Sequence, residues 1–203
     1  MQSKKKLKKL LIGVTGGIGS GKSLVCEYFK KSGGEVFFAD KITRDLYVTN
    51  KKLLNELVKE FGKNILSEDR KLDILKFREI VYKSDANQKR VNNIVHPFAI
   101  NEILRRTRNS ESSLVFIEAA LIFESGFDKY LDYTIEVFAN VKTRMERVRK
   151  RNKLALRLIR TIIKMQMPEK EKLKMADFVI KNNSSKINLR KEAIFLYGIL
   201  NRI

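Results

Sequence analysis

Gly16-Gly17-Ile18-Gly19-Ser20-Gly21-Lys22-Ser23 fits the pattern G-x-x-x-x-G-K-[ST]. Nothing else in the chain restricts its fold so tightly, because this pattern works only at the junction of a strand and a helix. Both flanks meet that demand. Leu10-Leu11-Ile12-Gly13-Val14 reads as a short apolar strand entering the loop, and Lys22 to Lys31 sets Leu24, Val25, Tyr28 and Phe29 at helical spacing. Backbone N–H groups have to reach an anion with no side chain in the way, so glycine dominates the turn. The positive end of the following helix then faces the anion. Gly17, Gly19, Ser20, Gly21, Lys22, Ser23 and Leu24 are therefore expected to cradle a nucleoside triphosphate. Lys22 reaches the β- and γ-phosphates in such a loop, and the Ser23 hydroxyl ligates Mg²⁺.

Four further strands are expected at Glu35 to Ala39, Leu114 to Ile122, Tyr133 to Ala139 and Phe178 to Ile180. Helical patterns separate them, and that alternation predicts an α/β fold: a parallel sheet of about five strands with helices on both faces. Residues 45–111 contain no convincing strand. Leu53, Leu54, Leu57, Val58 and Phe61 mark one amphipathic helix there; Leu75, Ile80 and Val81 mark a second. Val91, Ile94, Val95, Phe98 and Ile103 mark a third. So long a crossover reads as an inserted helical lobe suited to an acceptor substrate. The segment 142–174 reads as one or two exposed helices, and the chain closes in a helix with Ile187, Ala193, Ile194, Tyr197 and Leu200 on its apolar side. The expected organisation is one domain over 7–203, with its core at 7–44, 112–141 and 175–203, and a basic tail at 1–6.

The formal net charge is +20, and its distribution is uneven. Residues 142–174 hold thirteen Lys or Arg against three Glu, and residues 1–9 add five lysines. Half the surplus thus sits in one segment, which suggests a local clamp for anions. One cysteine, Cys26, excludes an intramolecular disulfide and fits a reducing compartment, where it is expected to pack rather than react. The stretch Leu10-Leu11-Ile12 is too short for a secretory signal, and no apolar run approaches the ~18 residues of a membrane span. A cytoplasmic protein is expected.

Asp40 follows the second strand. Ligands of parallel sheets gather outside the carboxyl ends of the strands, so this carboxylate could accept a proton from an acceptor hydroxyl. Its competing role is a helix N-cap for a segment starting at Lys41. Glu118 lies inside the apolar run Leu114 to Leu121, where a carboxylate is costly unless paired; hydrated Mg²⁺, Lys22 or a structural ion pair could supply the partner. Glu124 reads as a cap or brace. His96, the only histidine, precedes Pro97 in the helical lobe, where a packing role competes with substrate contact. Arg144, Arg147 and Arg151 recur at near-helical spacing, and their guanidinium forks suit phosphate oxygens in a closing lid.

Taken in order, these segments resemble the dephospho-coenzyme A kinases, a family of small P-loop kinases. The resemblance runs through Val14 to Ser23, Ala39-Asp40 with Arg44, and His96-Pro97. It continues in Glu118-Ala119-Ala120-Leu121-Ile122-Phe123-Glu124, Arg147 to Arg151, Gln166, and Ala176-Asp177-Phe178-Val179-Ile180-Lys181-Asn182-Asn183. It implies a P-loop NTPase fold of three layers with a helical substrate insertion at 45–111 and a lid within 142–174. It also implies transfer of the ATP γ-phosphoryl group to the ribose 3′-hydroxyl of dephospho-CoA. By that resemblance Asp40 is the base, Lys22 and Arg147 assist catalysis, Ser23 and Glu118 hold the metal, and Arg147, Arg151 and Asn182 join the nucleotide site. There are departures. Leu24 replaces a common threonine, Phe38 a frequent acidic residue, Ala120 a frequent proline, and Thr161 a lid arginine.

Three alternatives are distinguishable. Another P-loop kinase of nucleosides or nucleotides would share the loop and Asp40 but differ in acceptor. A GTPase is disfavoured because no Asn-Lys-x-Asp motif occurs: Asn50-Lys51-Lys52-Leu53 lacks the aspartate. A basic nucleic-acid-binding ATPase would explain the charge, yet no aromatic-interleaved basic motif is visible.

Overall fold

A computed structural model of the protein describes residues 9–152 and 156–203. The expected basic tail at 1–6 lies outside the described residues. The described residues divide into two compact units: one of residues 39–109, the other of those before 39 and after 109.

The larger unit is built on five parallel strands, β1 (Leu10–Thr15), β2 (Glu35–Phe38), β3 (Leu114–Glu118), β4 (Tyr133–Phe138) and β5 (Phe178–Lys181). Their order is β2-β3-β1-β4-β5, so β1 is central and its carboxyl end opens between β3 and β4. That is the switch point at which such sheets bind ligands. Alternation of side chains sorts the two faces. Ile12, Val14, Leu114, Phe116, Ile135 and Val137 meet Val25, Cys26 and Phe29 of α1 (Lys22–Lys31) and Leu189, Ala193 and Leu196 of the last helix in one apolar core. Cys26 is fully buried there and is a free packing thiol, with its ionisation pushed upward by burial. Phe29 and Phe116 stack at 4.3 Å between ring centroids. The side chains of Val115 and Ile117, also fully buried, project to the opposite face together with Glu136.

Each strand starts where expected, but the carboxyl ends move, by one residue in all but the third. The third strand stops at Glu118 instead of running to Ile122, because the chain turns and closes its own bonds: Ser125 N donates to Leu121 O at 3.0 Å and Gly126 N to Phe123 O at 3.1 Å. The second strand gives way to helix at Ala39. Among the described residues the basic segment holds three helices rather than one or two, α6 (Val141–Asn152), α7 (Leu156–Lys164) and α8 (Glu169–Met175). The third begins directly after Pro168, which suits a helix start. The last helix, α9 (Lys186–Leu200), is capped by Ser185 Oγ, which accepts from Asn188 N. It buries Leu189, Ala193, Leu196 and Leu200, whereas Ile187 and Ile194, expected on the apolar side, are exposed. This helix carries apolar residues around most of its circumference, and the 189/193/196/200 stripe is the one that packs.

The smaller unit is helical: α2 (Ala39–Thr49), α3 (Lys51–Phe61), α4 (Ile74–Tyr82) and α5 (Asp85–Arg108). Polar side chains start three of them. Asn50 Oδ1 accepts from Leu53 N, Asp73 Oδ1 from Leu75 N and Lys76 N, and Ser84 Oγ from Asn87 N. Leu46, Leu53, Leu57, Ile65, Phe77, Val91, Val95 and Ala99 close a separate core. Pro97 sits inside α5, immediately after His96.

Phe116→Ala should destabilise the protein by about 3–5 kcal/mol, since it empties a fully buried ring site against Phe29. Urea unfolding measures this, and a loss below about 1 kcal/mol would contradict the packing described.

Candidate active site

The loop between β1 and α1 is shaped by glycine where no other residue fits. Gly21, at the helix N-cap, has φ of 102° in the left-handed region, and a Cβ there would come within 2.3 Å of Asn182 Nδ2. That amide is structural to the loop: Asn182 Nδ2 donates to Ser20 O at 2.7 Å, while Asn182 N donates to Phe138 O at 2.7 Å. Arg147 Nη2 of α6 donates to Asn182 Oδ1 at 3.3 Å. Ser20, Gly21, Arg147 and Asn182, all singled out in the sequence, therefore meet at the start of α1. Arg151 lies one helical turn beyond Arg147. Leu24 sits in the first turn of α1 with its side chain against the sheet core and its N–H on Gly21 O.

On the other side of the loop, Lys22 Nζ donates to Gly16 O at 2.9 Å. Ser23 Oγ donates to Glu118 Oε1 at 3.1 Å. Glu118 is the last residue of β3, in register with Val14 of β1, so strand pairing delivers its carboxylate to the foot of α1. Ser20 Oγ is buried without a hydrogen-bond partner. Asp40 belongs to the helical unit, as the second residue of α2. Because that helix already starts at Ala39, Asp40 stands in its first turn and is not the cap of a helix starting at Lys41; its charge there favours the helix N-terminus. Thr161 Oγ1 donates to Arg157 O within α7.

The structure adds a set of charges that the sequence reading had not gathered. Arg144 of α6 is 3 % exposed and pairs through Nη2 with Glu169 Oε2 of α8 at 2.7 Å. Lys172, also buried, pairs with Glu124 Oε1 at 3.1 Å, and the same oxygen accepts from Met167 N. Gln166 Oε1 accepts from Ile18 N of the loop at 3.0 Å. Glu136 of β4, opposite Thr15 in register, is completely buried with neither carboxylate oxygen hydrogen-bonded. Burial pushes its ionisation up to about 7, against the pull of Lys172, Lys22 and Arg144, with Glu169 pushing the same way as burial. Burial also raises the Glu169 carboxyl, opposed by Arg144 and Lys172. Glu136 was legible in principle, since an acid between Ile135 and Val137 of an apolar strand poses the same question as Glu118.

A parallel sheet with a glycine-lysine loop at its central strand, a serine-glutamate pair beneath it and an arginine-rich helix beside it defines a P-loop kinase. The dephospho-CoA kinase family model matches residues 10–188. A dephospho-CoA kinase of Fusobacterium nucleatum is 35 % identical over 183 residues, covering 90 % of this chain and 94 % of its own length. One from Aquifex aeolicus is 38 % identical over 192 residues, covering 94 % and 97 %. The solved dephospho-CoA kinase of Campylobacter jejuni superposes with a TM-score of 0.61 at 28 % identity, over 95 % of this chain and 97 % of its own. The chain belongs to the dephospho-CoA kinase family. No helix among the described residues is long and apolar enough to cross a membrane.

The buried acid gives a test by pH. A carboxyl raised to about 7 in the fold stabilises relative to its ionised state at low pH, and that contribution is lost as pH rises through 7. Glu136→Gln should therefore match the wild type near pH 4, gain on it between about pH 4.5 and 7, and exceed it near pH 8 by up to about 3 kcal/mol. Denaturant unfolding at the two ends of that range reads this; a difference that does not change with pH would contradict it.

Proposed function

We propose that this chain transfers the γ-phosphoryl group of ATP to the ribose 3′-hydroxyl of dephospho-CoA, giving CoA and ADP. The observation that carries the reading is the family match over residues 10–188, which takes in the whole loop, Glu118, Arg147 and Asn182. Gly17 to Leu24 receive the triphosphate on backbone N–H groups at the positive end of α1. Lys22 leaves Gly16 O for the β- and γ-phosphates. Arg147, with Arg151 beyond it, stabilises charge on the transferring group and its nucleotide.

Asp40 accepts the proton of the acceptor hydroxyl as its oxygen bonds to the γ-phosphorus and the bond to the bridging oxygen of ADP breaks. Support for this role comes from its place in the chain, two residues past the end of β2. Ser23 and Glu118 provide hard oxygen ligands of the kind Mg²⁺ takes, and the ion supplies charge neutralisation on the phosphate oxygens. The helical segment takes the acceptor, and the basic stretch 142–174 serves as lid. Two polyanionic substrates would account for the concentration of positive charge.

The direct test is product analysis by mass after incubating purified protein with ATP–Mg²⁺ and dephospho-CoA, adenosine or AMP. Phosphorylation of dephospho-CoA in preference to the others is expected, and preference for adenosine or AMP would transfer the chain to another class of P-loop kinase. Asp40→Asn should cut turnover roughly a hundredfold or more while leaving ATP binding intact. Unchanged turnover would remove Asp40 from the base role. Lys22→Ala should abolish transfer in a folded protein, and near-normal rates would defeat the loop assignment.

A further inference from the structure

The Arg144 guanidinium lies directly against the phosphate loop. A Cβ at Gly17 would come within 1.4 Å of Arg144 Nη1 and 2.6 Å of its Cζ, so Gly17 is glycine to admit this side chain. The backbone of the same residue passes just as close to the loop: a Cβ at Gly19 would meet Arg144 O at 2.7 Å and Val148 Cγ2 at 2.8 Å. Two successive glycine positions of the loop are thus fitted to one turn of α6. Between them, Ile18 N is held by Gln166, which precedes α8. Glu169 of α8 completes the arrangement by gripping the outer edge of the guanidinium.

This pair is poorly built as a source of stability. Arg144 Nε and Glu169 Oε1 are both buried with no hydrogen-bond partner. Removing two charges from water costs more than such a pair returns unless its remaining polar atoms are satisfied. A buried ion pair of this kind is better explained by the single conformation it enforces. The conformation at stake is that of residues 17–19, the stretch of loop that Arg144 and Val148 of α6 and Gln166 touch together. A cavity of about 140 Å³ lies at the same place, lined by Gly17, Arg144, Gln166, Glu169 and Lys172 among others, so the loop has room to shift were the clasp absent.

We propose that Arg144, pinned by Glu169, is a positioning residue for the phosphate loop: it holds Gly17 to Gly19 in the shape that accepts the donor triphosphate and ties α6 and α8 to that shape. The proposal rests on the reading of this loop as the ATP site. Its effect falls on the donor and not on the acceptor, which separates it from a general contribution to folding.

The test measures ATP binding by calorimetry, alongside KM for ATP and for dephospho-CoA, in wild type, Arg144→Met, Arg144→Lys, Glu169→Gln and the double variant Arg144→Met/Glu169→Met. The double variant removes both members of the pair, so neither is left as a lone buried charge, and keeps similar side-chain length, which guards against simple misfolding. ATP affinity is expected to fall about tenfold in Arg144→Met and in the double variant alike, since both lose one shared interaction. Glu169→Gln should move the same way, Arg144→Lys should recover part of the loss, and KM for dephospho-CoA should stay within about twofold. ATP constants within about twofold of wild type in the folded double variant would overturn the proposal, as would equal changes in both substrates' constants. Failure of the wild type to bind ATP would overturn the site reading itself, and the clasp with it.

Discussion

The hydrogen bond from Asn182 Nδ2 to Ser20 O joins residues 162 positions apart and sets where the first helix begins. A phosphate loop has few internal bonds: Ser20 N to Gly17 O is the short closure within it. Its glycines, which leave the backbone open to an anion, also leave it free to wander. The shape must therefore be imposed from outside. Asn182 does so from the end of β5, Gln166 from the approach to α8, and Arg144 from α6. The sheet makes this possible, because parallel pairing puts the ends of β1, β4 and β5 side by side.

The same geometry explains why two carboxylates lie at the loop, one partly exposed and one buried. Glu118 is carried to Ser23 by the pairing of β3 with β1, and Glu136 is carried below Thr15 by the pairing of β4 with β1. The first meets a hydroxyl; the second meets no partner and is held near neutrality by burial, with Lys172, Lys22 and Arg144 opposing. An acid that changes charge near pH 7 under the loop proposed to take the triphosphate makes the electrostatics there sensitive to proton activity. The ion pairs Arg144–Glu169 and Lys172–Glu124 surround it from α6, α8 and the turn after β3.

Much of this was legible in the residues. The loop, its strand and its helix were readable because glycine spacing and apolar periodicity are local properties, and α1 begins and ends where the periodicity placed it. Arg147 stood out by residue type and spacing, but Asn182 was reachable only through resemblance, since nothing local says that a residue after one strand bonds to a loop after another. Glu136, Arg144 and Glu169 were not assembled because their meaning lies in pairing across helices and strands far apart in sequence. The third strand was read four residues too long, for Ala119 to Ile122 are as apolar as a strand while their backbone closes turns. The stripe of α9 was misassigned for a related reason: apolar residues lie on several sides of it, and packing chose among them.

The most direct test of the central claim, that Gly16 to Leu24 receives the donor triphosphate, is hydrogen–deuterium exchange of the protein with and without ATP–Mg²⁺. Backbone N–H groups that bind phosphate oxygens exchange more slowly, so peptides spanning 16–24 should gain protection, together with those carrying Arg147 and Asn182. Unchanged exchange in 16–24 under saturating ATP, with protection appearing elsewhere, would contradict the account.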